Sequence, residues 1–431
     1  MKIINKIEKI LEENHIFLTG GGGVGKSYLT EQIIKKYKEQ NRQVIALGST
    51  GISAVNIGGQ TIHSFFVFGI CQNTEELIIH DRYNKNRIKE LNKILQNLDL
   101  LIIDEISMVS AFLMEMIRFR LNSAKFSGRI LFVGDFFQLP PVNNKNSFSS
   151  LFDEVYAFES SAWNSFEPVV LELNISKRTE DLEFFSILKE IRRGILDDKI
   201  LTYLSSLREN TKVYNNNPTI LFGTNAEANK MNKEKLNELE GTLYKLLAKE
   251  TLHDKSLHIK KLESWKNSLN VPFELELKIG ANIIFCTNKW GKYYNGEQGV
   301  VKDINDEYLL IEKNNSLVKV ELHEFVMSEN IIDNGSIKNR PILSIFQFPV
   351  KLSYAITIHK SQSMSIENLV CDIHNIFETN QFYVAISRAK SAKGLCIKYN
   401  RSDFDLHIKR CLAVDEKVRD FYESVKAIKL D

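Results

Sequence analysis

A glycine-rich loop between a short apolar run and a helical stretch constrains this chain more than any other feature. Residues 15–19 (HIFLT) are typical of a buried strand, and residues 26–40 repeat apolar side chains at helical spacing. Between them, Gly20-Gly-Gly-Gly-Val-Gly-Lys-Ser27 fits the pattern G-x-x-x-x-G-K-[ST] at every fixed position. Backbone N–H groups in such a loop, together with the helix amino terminus, bind phosphate oxygens. The sequence therefore predicts a phosphate-binding loop at the edge of an α/β sheet.

The loop and the start of its helix supply the predicted nucleotide-binding residues. Lys26 would reach the β- and γ-phosphates, and Ser27 would ligate Mg²⁺. A glycine-rich turn that only caps a helix is the alternative, which the flanking strand and the Gly-Lys-Ser sequence disfavour. The complete predicted set is Gly20, Gly21, Gly22, Gly23, Val24, Gly25, Lys26, Ser27 and Tyr28.

Two adjacent carboxylates follow a second apolar run. Residues 100–103 (LLII) precede Asp104 and Glu105, which places both side chains at the carboxyl edge of the predicted sheet. Asp104 would hold the Mg²⁺ shell, and Glu105 would orient or deprotonate an attacking water. Acidic residues often end strands by chance, but a pair that follows a phosphate-binding loop by about eighty residues indicates nucleotide hydrolysis.

The rest of the chain predicts two α/β units with insertions. A length of 431 residues favours two to four domains. Apolar runs at 43–47 and 130–133 extend the first series of parallel strands, which helices such as 111–123 would cover on both faces. A second series is predicted from four further runs. Those runs are 219–222, 352–356, 369–373 and 395–397. Segment 299–320 predicts a small antiparallel insert, and the polar segment 67–97 predicts an inserted helical or hairpin subdomain.

Composition excludes some classes of protein without choosing a partner. Fifty-six basic residues against 54 acidic ones give a net charge of +2, which does not by itself indicate nucleic-acid binding. No run of about 18 apolar residues predicts a membrane span, and the amino terminus lacks the apolar centre of a signal peptide. Five cysteines at irregular spacing predict free thiols in a reducing cytoplasm, with a zinc site or disulfide framework as the minor alternative.

Several further motifs carry a resemblance to a known family. The stretch from Gly134 through Gln138 to Val142 (GDFFQLPPV) resembles helicase motif III, and residues 49–54 with 59–65 resemble motif Ia and its extension. Residues 355–362 (AITIHKSQ) are similar to motif V, and residues 383–390 (YVAISRAK) to motif VI. Together these motifs cover most of the chain, from about 15 to 398. The sequence is thus identified as a member of the Pif-type DNA helicases of superfamily 1B, related to RecD-like helicases.

The resemblance implies an α/β fold with two RecA-like domains and small inserted subdomains. Domain 1A would comprise 1–66 and 98–170, with a wedge insert 1B at 67–97. Domain 2A would comprise 171–288 and 346–431, with a β-rich, SH3-like insert 2B at 289–345. The resemblance also implies hydrolysis of ATP with Mg²⁺, 5′→3′ movement on single-stranded DNA, and unwinding of tailed, forked or structured duplexes. We expect a monomer that has no membrane partner.

Site residues are carried over at matching motif positions. Gln138 would sense the γ-phosphate, and Arg178 and Arg388 would stabilise the charge that develops on it. A surface ion pair is the ordinary alternative for a single arginine, and the motif supports Arg388 more than Arg178. The DNA-binding candidates, for which a purely structural role is the alternative, are Thr61, His63, Phe65, Thr357 and His359.

The chain departs from the family pattern at three places. Thr179 stands where the family has Gln, Ser363 stands where it has Gly, and residues 1–14 contain no Gln for reading adenine. Since Gly permits positive φ, Ser363 is expected to affect that turn. A separate aromatic group would either stack on bases or pack in a hairpin. It consists of Trp290, Tyr293 and Tyr294.

Two other functions remain open from the sequence. A RecD-like motor subunit of a nuclease complex would need a partner chain, and a translocase would move on single-stranded DNA without unwinding. A P-loop small-molecule kinase is disfavoured, because the second α/β series and Arg388 would then have no role.

Overall fold

In a computed structural model of the chain, the described residues are 2–69, 71, 74–141, 155–254, 259–333, 335–376 and 380–430. Val142, the last residue of the predicted motif III, lies outside them. The strands of the first half are β1 (Ile16–Gly20), β2 (Val44–Gly48), β3 (Gln60–Thr61), β4 (Leu100–Asp104), β5 (Arg129–Val133) and β6 (Val169–Leu173). Its helices are α1 (Lys2–Leu11), α2 (Lys26–Glu39), α3 (Gly51–Asn56), α4 (Ile62–Phe65), α5 (Thr74–Tyr83), α6 (Lys85–Gln96), α7 (Ala111–Ala124) and α8 (Ser161–Phe166).

The second half contains more strands than the first. They are β7 (Thr219–Phe222), β8 (Tyr244–Leu247), β9 (Lys249–Leu252), β10 (Glu274–Leu277), β11 (Asn282–Phe285), β12 (Gln298–Ile304), β13 (Tyr308–Lys313), β14 (Ser316–Glu321), β15 (His323–Asp333), β16 (Ser336–Gln347), β17 (Val350–Leu352), β18 (Ala355–Thr357), β19 (Leu369–Asp372), β20 (Leu395–Lys398) and β21 (Ile428–Leu430). Its helices are α9 (Leu182–Arg192), α10 (Asp198–Arg208), α11 (Asn225–Glu238), α12 (Ile259–Ser268), α13 (Gln381–Ile386), α14 (Phe404–Cys411) and α15 (Glu416–Ser424).

The first domain is built on a parallel sheet with the order β21-β6-β1-β5-β4-β2-β3. Alternate residues of each central strand enter two different cores. On β1, for example, Phe17 belongs to one apolar cluster, whereas Ile16 and Leu18 belong to another. A sheet that is buried on both faces explains the continuous apolar runs in the sequence. The predicted parallel strands of the first series are therefore confirmed.

The second domain is built on the parallel sheet β18-β7-β19-β20. The prediction of one strand over 352–356 is wrong. That run forms two strands in different sheets, β17 pairing antiparallel with β11 and β18 pairing parallel with β7. Ser353 lies between them, and its backbone N–H donates to the carbonyl of Asn282, so the chain leaves one sheet and enters the next.

The predicted antiparallel insert is confirmed and extends beyond its predicted limits. Strands β12, β13 and β14 pair antiparallel, and β11 and β17 join them in one sheet. The long hairpin β15–β16 pairs with β9 in a separate sheet. This hairpin reaches the first domain. Gln60 Nε2 donates to the carbonyl of Ser328 at 2.8 Å, and the backbone N–H of Ile337 donates to Gln43 Oε1 at 3.0 Å.

The carboxyl-terminal segment returns to the first domain, although the sequence assigned 346–431 to the second. Strand β21 pairs with β6, and Val418 is buried in the same apolar cluster as Phe17. Because β21 has only three residues, no pattern in the sequence indicates this pairing. The pairing corrects the predicted boundary and makes the chain cross between the two domains a second time.

Helices α5 and α6 lie in the predicted 67–97 insert, where Asp81 forms a bidentate ion pair with the buried Arg120 of α7. The described cysteines are free thiols, buried except for the half-buried Cys71. In the described part of the chain, no helix combines the length and the apolar character that crossing a membrane requires.

Candidate functional site

The glycine-rich loop has the backbone of a phosphate cradle. Gly23 and Gly25 have φ values of 80° and 93°, and Gly25 caps the amino terminus of α2 in the left-handed conformation. Lys26 folds back over the loop, and its Nζ donates to the carbonyls of Gly20 at 2.6 Å and Gly21 at 3.0 Å. Burial lowers the pKa of Lys26, opposed by the charges of Asp135 and Glu105. A buried ammonium held by carbonyls is suited to exchange these contacts for phosphate oxygens.

The loop glycines lie against the chain segment before α9 and against the second domain. A Cβ atom placed on Gly23 would lie 2.6 Å from the Cβ of Arg178. One placed on Gly22 would lie 3.0 Å from Ser387 Oγ. The backbone N–H of Lys177 also donates to the carbonyl of Gly23 at 2.8 Å. The glycines are therefore required by close approach as well as by loop conformation, and the site spans both domains.

Asp104 and Glu105 lie together at the end of β4. Glu105 has a φ of 53°, an uncommon conformation for a residue other than glycine, in which its side chain is exposed to the charges of Lys26 and Arg388. Burial and the adjacent Glu105 raise the pKa of Asp104 to about 7, and burial also raises the pKa of Glu105. An enclosed carboxylate whose ionised form is disfavoured suits a hard divalent cation, and Ser27 is the hydroxyl that would complete the donor set.

Arg178 and Arg388 approach each other beside the loop. Arg178 donates from Nε to Ser365 Oγ at 2.8 Å and from Nη1 to the carbonyl of Ser387. Arg388 donates from Nε to the carbonyl of Val384 at 2.9 Å. Burial and the charge of Arg388 lower the pKa of Arg178 to about 9. Two enclosed guanidinium groups of like charge next to the glycine-rich loop are suited to bind an anion.

The predicted motif III lies behind the loop. Gln138 is buried, and its carbonyl accepts from Asn380 Nδ2 at 3.2 Å. Asp135 pairs with Arg192, which the sequence analysis missed. A signal was present, because Phe184, Leu188 and Arg192 recur every four residues on the buried face of α9. An arginine on an apolar helix face indicates a buried partner.

Three predicted positions have informative surroundings. Ser363 has a φ of 63°, so the turn keeps the left-handed conformation even though glycine is absent. The Thr179 hydroxyl accepts from the backbone N–H of Asp181 at 3.0 Å and so serves the entry to α9. Tyr28, a predicted nucleotide-binding residue, is 62% exposed on α2 and lies outside the enclosed part of the glycine-rich loop.

The first-domain DNA candidates do not all reach the surface. Thr61 caps α4 by accepting from the Ser64 backbone N–H at 3.2 Å, and His63 is exposed. Phe65 is buried, with its ring edge-to-face on Phe66 at 5.0 Å. A base-stacking role for Phe65 is not supported, because its ring belongs to the core.

The second-domain candidates lie in a different place. Thr357 and Lys360 line a cavity of about 930 Å³. Its other lining residues include Lys233, Lys266, Lys351 and Asn225. His359 is half-buried. The structure does not bring Thr61 and His63 into this cavity, so the candidates form two separate surfaces.

The aromatic group at 290–294 divides between the two roles considered. Tyr293 is buried and stacks on Phe285 with 4.3 Å between ring centroids. Trp290 is 90% exposed, and Tyr294 is partly exposed beside it. Packing therefore accounts for Tyr293, and only the other two rings are available to a ligand.

Comparison with known proteins decides the family. A family model for PIF1-like helicases matches residues 1–200. The ATP-dependent DNA helicase Pif1 of Campylobacter jejuni is 45% identical, with 100% of this chain and 99% of the relative covered. The chain belongs to the Pif1 helicase family. The Pif1 helicase of Bdellovibrio bacteriovorus is 31% identical, covering 96% of this chain and 89% of the relative. Membership of the Pif1 family makes this chain an ATP-dependent DNA helicase.

Solved Pif1 structures share the fold. A Bacteroides Pif1 in complex with ADP-AlF4 gives a TM-score of 0.85 at 26% identity, with 98% of this chain and 96% of that chain covered. For a Bacteroides Pif1 bound to single-stranded DNA the TM-score is 0.64 at 26% identity, with the same coverage. The two parallel sheets are thus RecA-like domains of the Pif1 type, which confirms the predicted fold class.

Proposed function

We propose that this chain is a monomeric 5′→3′ helicase that translocates on single-stranded DNA and unwinds tailed, forked or structured duplexes. The observation that carries the proposal is the packing of the phosphate loop against Arg178 and Ser387. With arginines from outside the first domain beside the loop, ATP hydrolysis depends on how the two domains are closed. Such dependence is what converts hydrolysis into movement.

The residues of the proposed phosphate site have separate roles. Lys26 binds the terminal phosphates, and Arg178 and Arg388 stabilise the charge that develops on them. Glu105 orients the attacking water, and Gln138 senses the γ-phosphate. Ser27 and Asp104 would hold Mg²⁺, which neutralises phosphate charge when it is bound. The raised pKa of Asp104 supports this assignment, because a cation is what stabilises an enclosed carboxylate.

The DNA path would join two surfaces. Thr61 and His63 supply the first. The second comprises Thr357, which lies in the lysine- and asparagine-lined cavity, and the half-buried His359, which follows it by two residues. Ammonium and amide groups are suited to a phosphate backbone and read no sequence. Grips on two separate domains can alternate as ATP is bound and hydrolysed. A Bacteroides Pif1 bound to single-stranded DNA and a structure of Pif1 helicases that addresses unwinding of forked double-stranded DNA support the same class of substrate here.

The deciding experiment uses matched duplexes with a 5′ or a 3′ tail, with and without ATP. We expect unwinding only of the 5′-tailed duplex with ATP, and none by Lys26→Ala, whereas Lys35→Ala on the exposed face of the same helix should act as wild type. Stimulated hydrolysis without unwinding would make the protein a translocase. Unwinding that appears only with an added protein would favour the motor-subunit alternative, and hydrolysis by Lys26→Ala would reject the phosphate site.

A further inference from the structure

Tyr383 of the second domain places its hydroxyl directly on the phosphate loop. The backbone N–H of Gly22 donates to this hydroxyl at 2.7 Å. A Cβ atom placed on Gly21 would lie 3.0 Å from the same oxygen. Only 3% of Tyr383 is exposed, so the contact is enclosed. A side chain of one domain therefore occupies a backbone donor of the other domain's phosphate cradle.

Gly22 lies at the end of the loop that faces the arginines. A Cβ atom placed there would come 3.6 Å from Arg178 Nη1 and 3.0 Å from Ser387 Oγ. Backbone N–H groups of such loops are donors to phosphate oxygens. With the arginines assigned to the terminal phosphate, the Gly22 N–H is one of the loop donors within reach of a γ-phosphate oxygen. A γ-phosphate that takes this donor would compete with the Tyr383 hydroxyl for its hydrogen.

Tyr383 is also connected to Arg388 through one short helix. It lies in α13, and Ser387 and Arg388 follow that helix directly. Arg388 donates to the carbonyl of Val384 and to Ser387 Oγ, which ties its guanidinium group to the turn that carries Tyr383. The Tyr383 side chain and the Arg388 guanidinium group are therefore linked by a hydrogen-bonded path of a few residues.

We propose that Tyr383 is a ligand of the terminal phosphate and a positioning residue for Arg388. In the arrangement seen here its hydroxyl accepts from Gly22, and when a γ-phosphate oxygen takes that N–H the hydroxyl donates to the phosphate instead. A phenol hydroxyl can act in both senses, and phenylalanine can act in neither. Burial raises the pKa of Tyr383 to about 12, so the hydroxyl keeps the proton that it donates. The proposal rests on the phosphate site assigned above.

The exchange has a predictable direction. A hydrogen bond to a charged acceptor is roughly twice as strong as one between neutral groups, so the hydroxyl gains when it turns to the phosphate. Tyr383→Phe should therefore weaken the binding of a non-hydrolysable ATP analogue about fivefold. ADP, which lacks the γ-phosphate, should bind within about twofold of wild type. The kcat of DNA-stimulated hydrolysis should fall as well, because Tyr383 would no longer position Arg388 through its contact with the phosphate.

The test measures Kd for ADP and for the ATP analogue, with kcat and KM for ATP in the presence of single-stranded DNA. Tyr399→Phe is the matched control, because it removes from another buried tyrosine of the same domain a hydroxyl that donates to Asp403, away from the loop. Equal losses for ADP and the analogue would reduce Tyr383 to a packing role. Unchanged or tighter binding of the analogue would overturn the proposal. Lys26→Ala separates the two claims, because hydrolysis by that variant would reject the phosphate site itself.

Discussion

Arg192 grips Asp135 with two parallel hydrogen bonds, from Nε to Oδ2 and from Nη2 to Oδ1, each 2.9 Å long. Both side chains are buried. The guanidinium group also lies over the Tyr422 ring at 5.3 Å, and the Tyr422 hydroxyl bonds Thr19 at 2.8 Å. One ion pair thereby fastens motif III, helix α9 and the returning carboxyl-terminal segment.

Replacement of Arg192 should lower the free energy of unfolding. Arg192→Met leaves the Asp135 carboxylate buried without its cation, for which we expect a loss of about 3–5 kcal/mol in the free energy of unfolding. Urea unfolding measures it. Arg118→Met is the control, because its partly exposed pair with Glu115 should contribute less than about 1 kcal/mol. Similar losses for the two variants would show that Asp135 finds other partners.

Replacement of Ser363 by glycine should stabilise the folded protein. The φ of 63° at this position costs an L-residue roughly 1–2 kcal/mol, whereas glycine adopts it freely. We expect Ser363→Gly to raise the free energy of unfolding by about 0.5–1 kcal/mol, measured in urea. The same change at the exposed helical Ser206 should lower it by about 0.5 kcal/mol. A loss at position 363 would mean that the serine side chain makes a compensating contact.

The sequence predicted what local patterns determine. Runs such as 100–103 predict parallel strands because both faces of those strands are buried. The glycine pattern that begins at Gly20 predicts a loop with positive φ, because glycine adopts that conformation freely. The pairing of β21 with β6 and the split at Ser353 depend on distant partners that leave no periodic signal. The contact of Tyr383 with Gly22 belongs to the same class, because 361 residues separate them. Motif resemblance predicted that Phe65 contacts DNA, but a motif does not indicate whether its aromatic ring is exposed, and the Phe65 ring is packed in the core.

Arg388 should be needed for turnover and not for binding. Its guanidinium group is enclosed and held by the carbonyl of Val384, beside the phosphate loop. We expect Arg388→Ala to lower kcat by about a thousandfold while the Kd for ATP changes little. Stopped-flow nucleotide binding and steady-state hydrolysis measure the two quantities. Arg410→Ala, an exposed arginine on α14, serves as the control. Weakened binding with unchanged turnover would contradict the assigned role.

Trp290 should contact single-stranded DNA. Its ring is 90% exposed, it lies between Lys289 and Lys292, and Tyr294 stands beside it. Stacking of one base contributes about 1–3 kcal/mol, so Trp290→Ala should weaken the binding of an oligonucleotide roughly tenfold. Fluorescence anisotropy measures this, and Trp290→Phe should restore most of the affinity. Tyr214→Ala, an exposed aromatic residue elsewhere, should have no effect. Equal affinities for all variants would assign Trp290 no part in binding.

His15 should make the stability of the first domain depend on pH. Its Nδ1 accepts a hydrogen bond of 2.9 Å from the backbone N–H of Ile130, which requires the neutral ring. Burial, assisted by the charge of Arg129, lowers the pKa of His15 from 6.5 to about 4. The unfolded chain therefore takes up this proton first as the pH falls. The contribution of His15 is complete above pH 6.5 and is lost between pH 6.5 and 4.

The low pKa of His15 predicts how the free energy of unfolding changes with pH. Below pH 6.5, His15 should remove about 1 kcal/mol of the free energy of unfolding per pH unit. His15→Gln offers an acceptor that does not titrate, so its stability should fall less steeply over the same range. Urea unfolding of both proteins at pH 7.5, 6.5, 5.5 and 4.5 isolates the effect, because the carboxylates contribute equally to both curves. Parallel curves would mean that the folded chain protonates His15 as readily as the unfolded chain, which the bond from Ile130 does not permit.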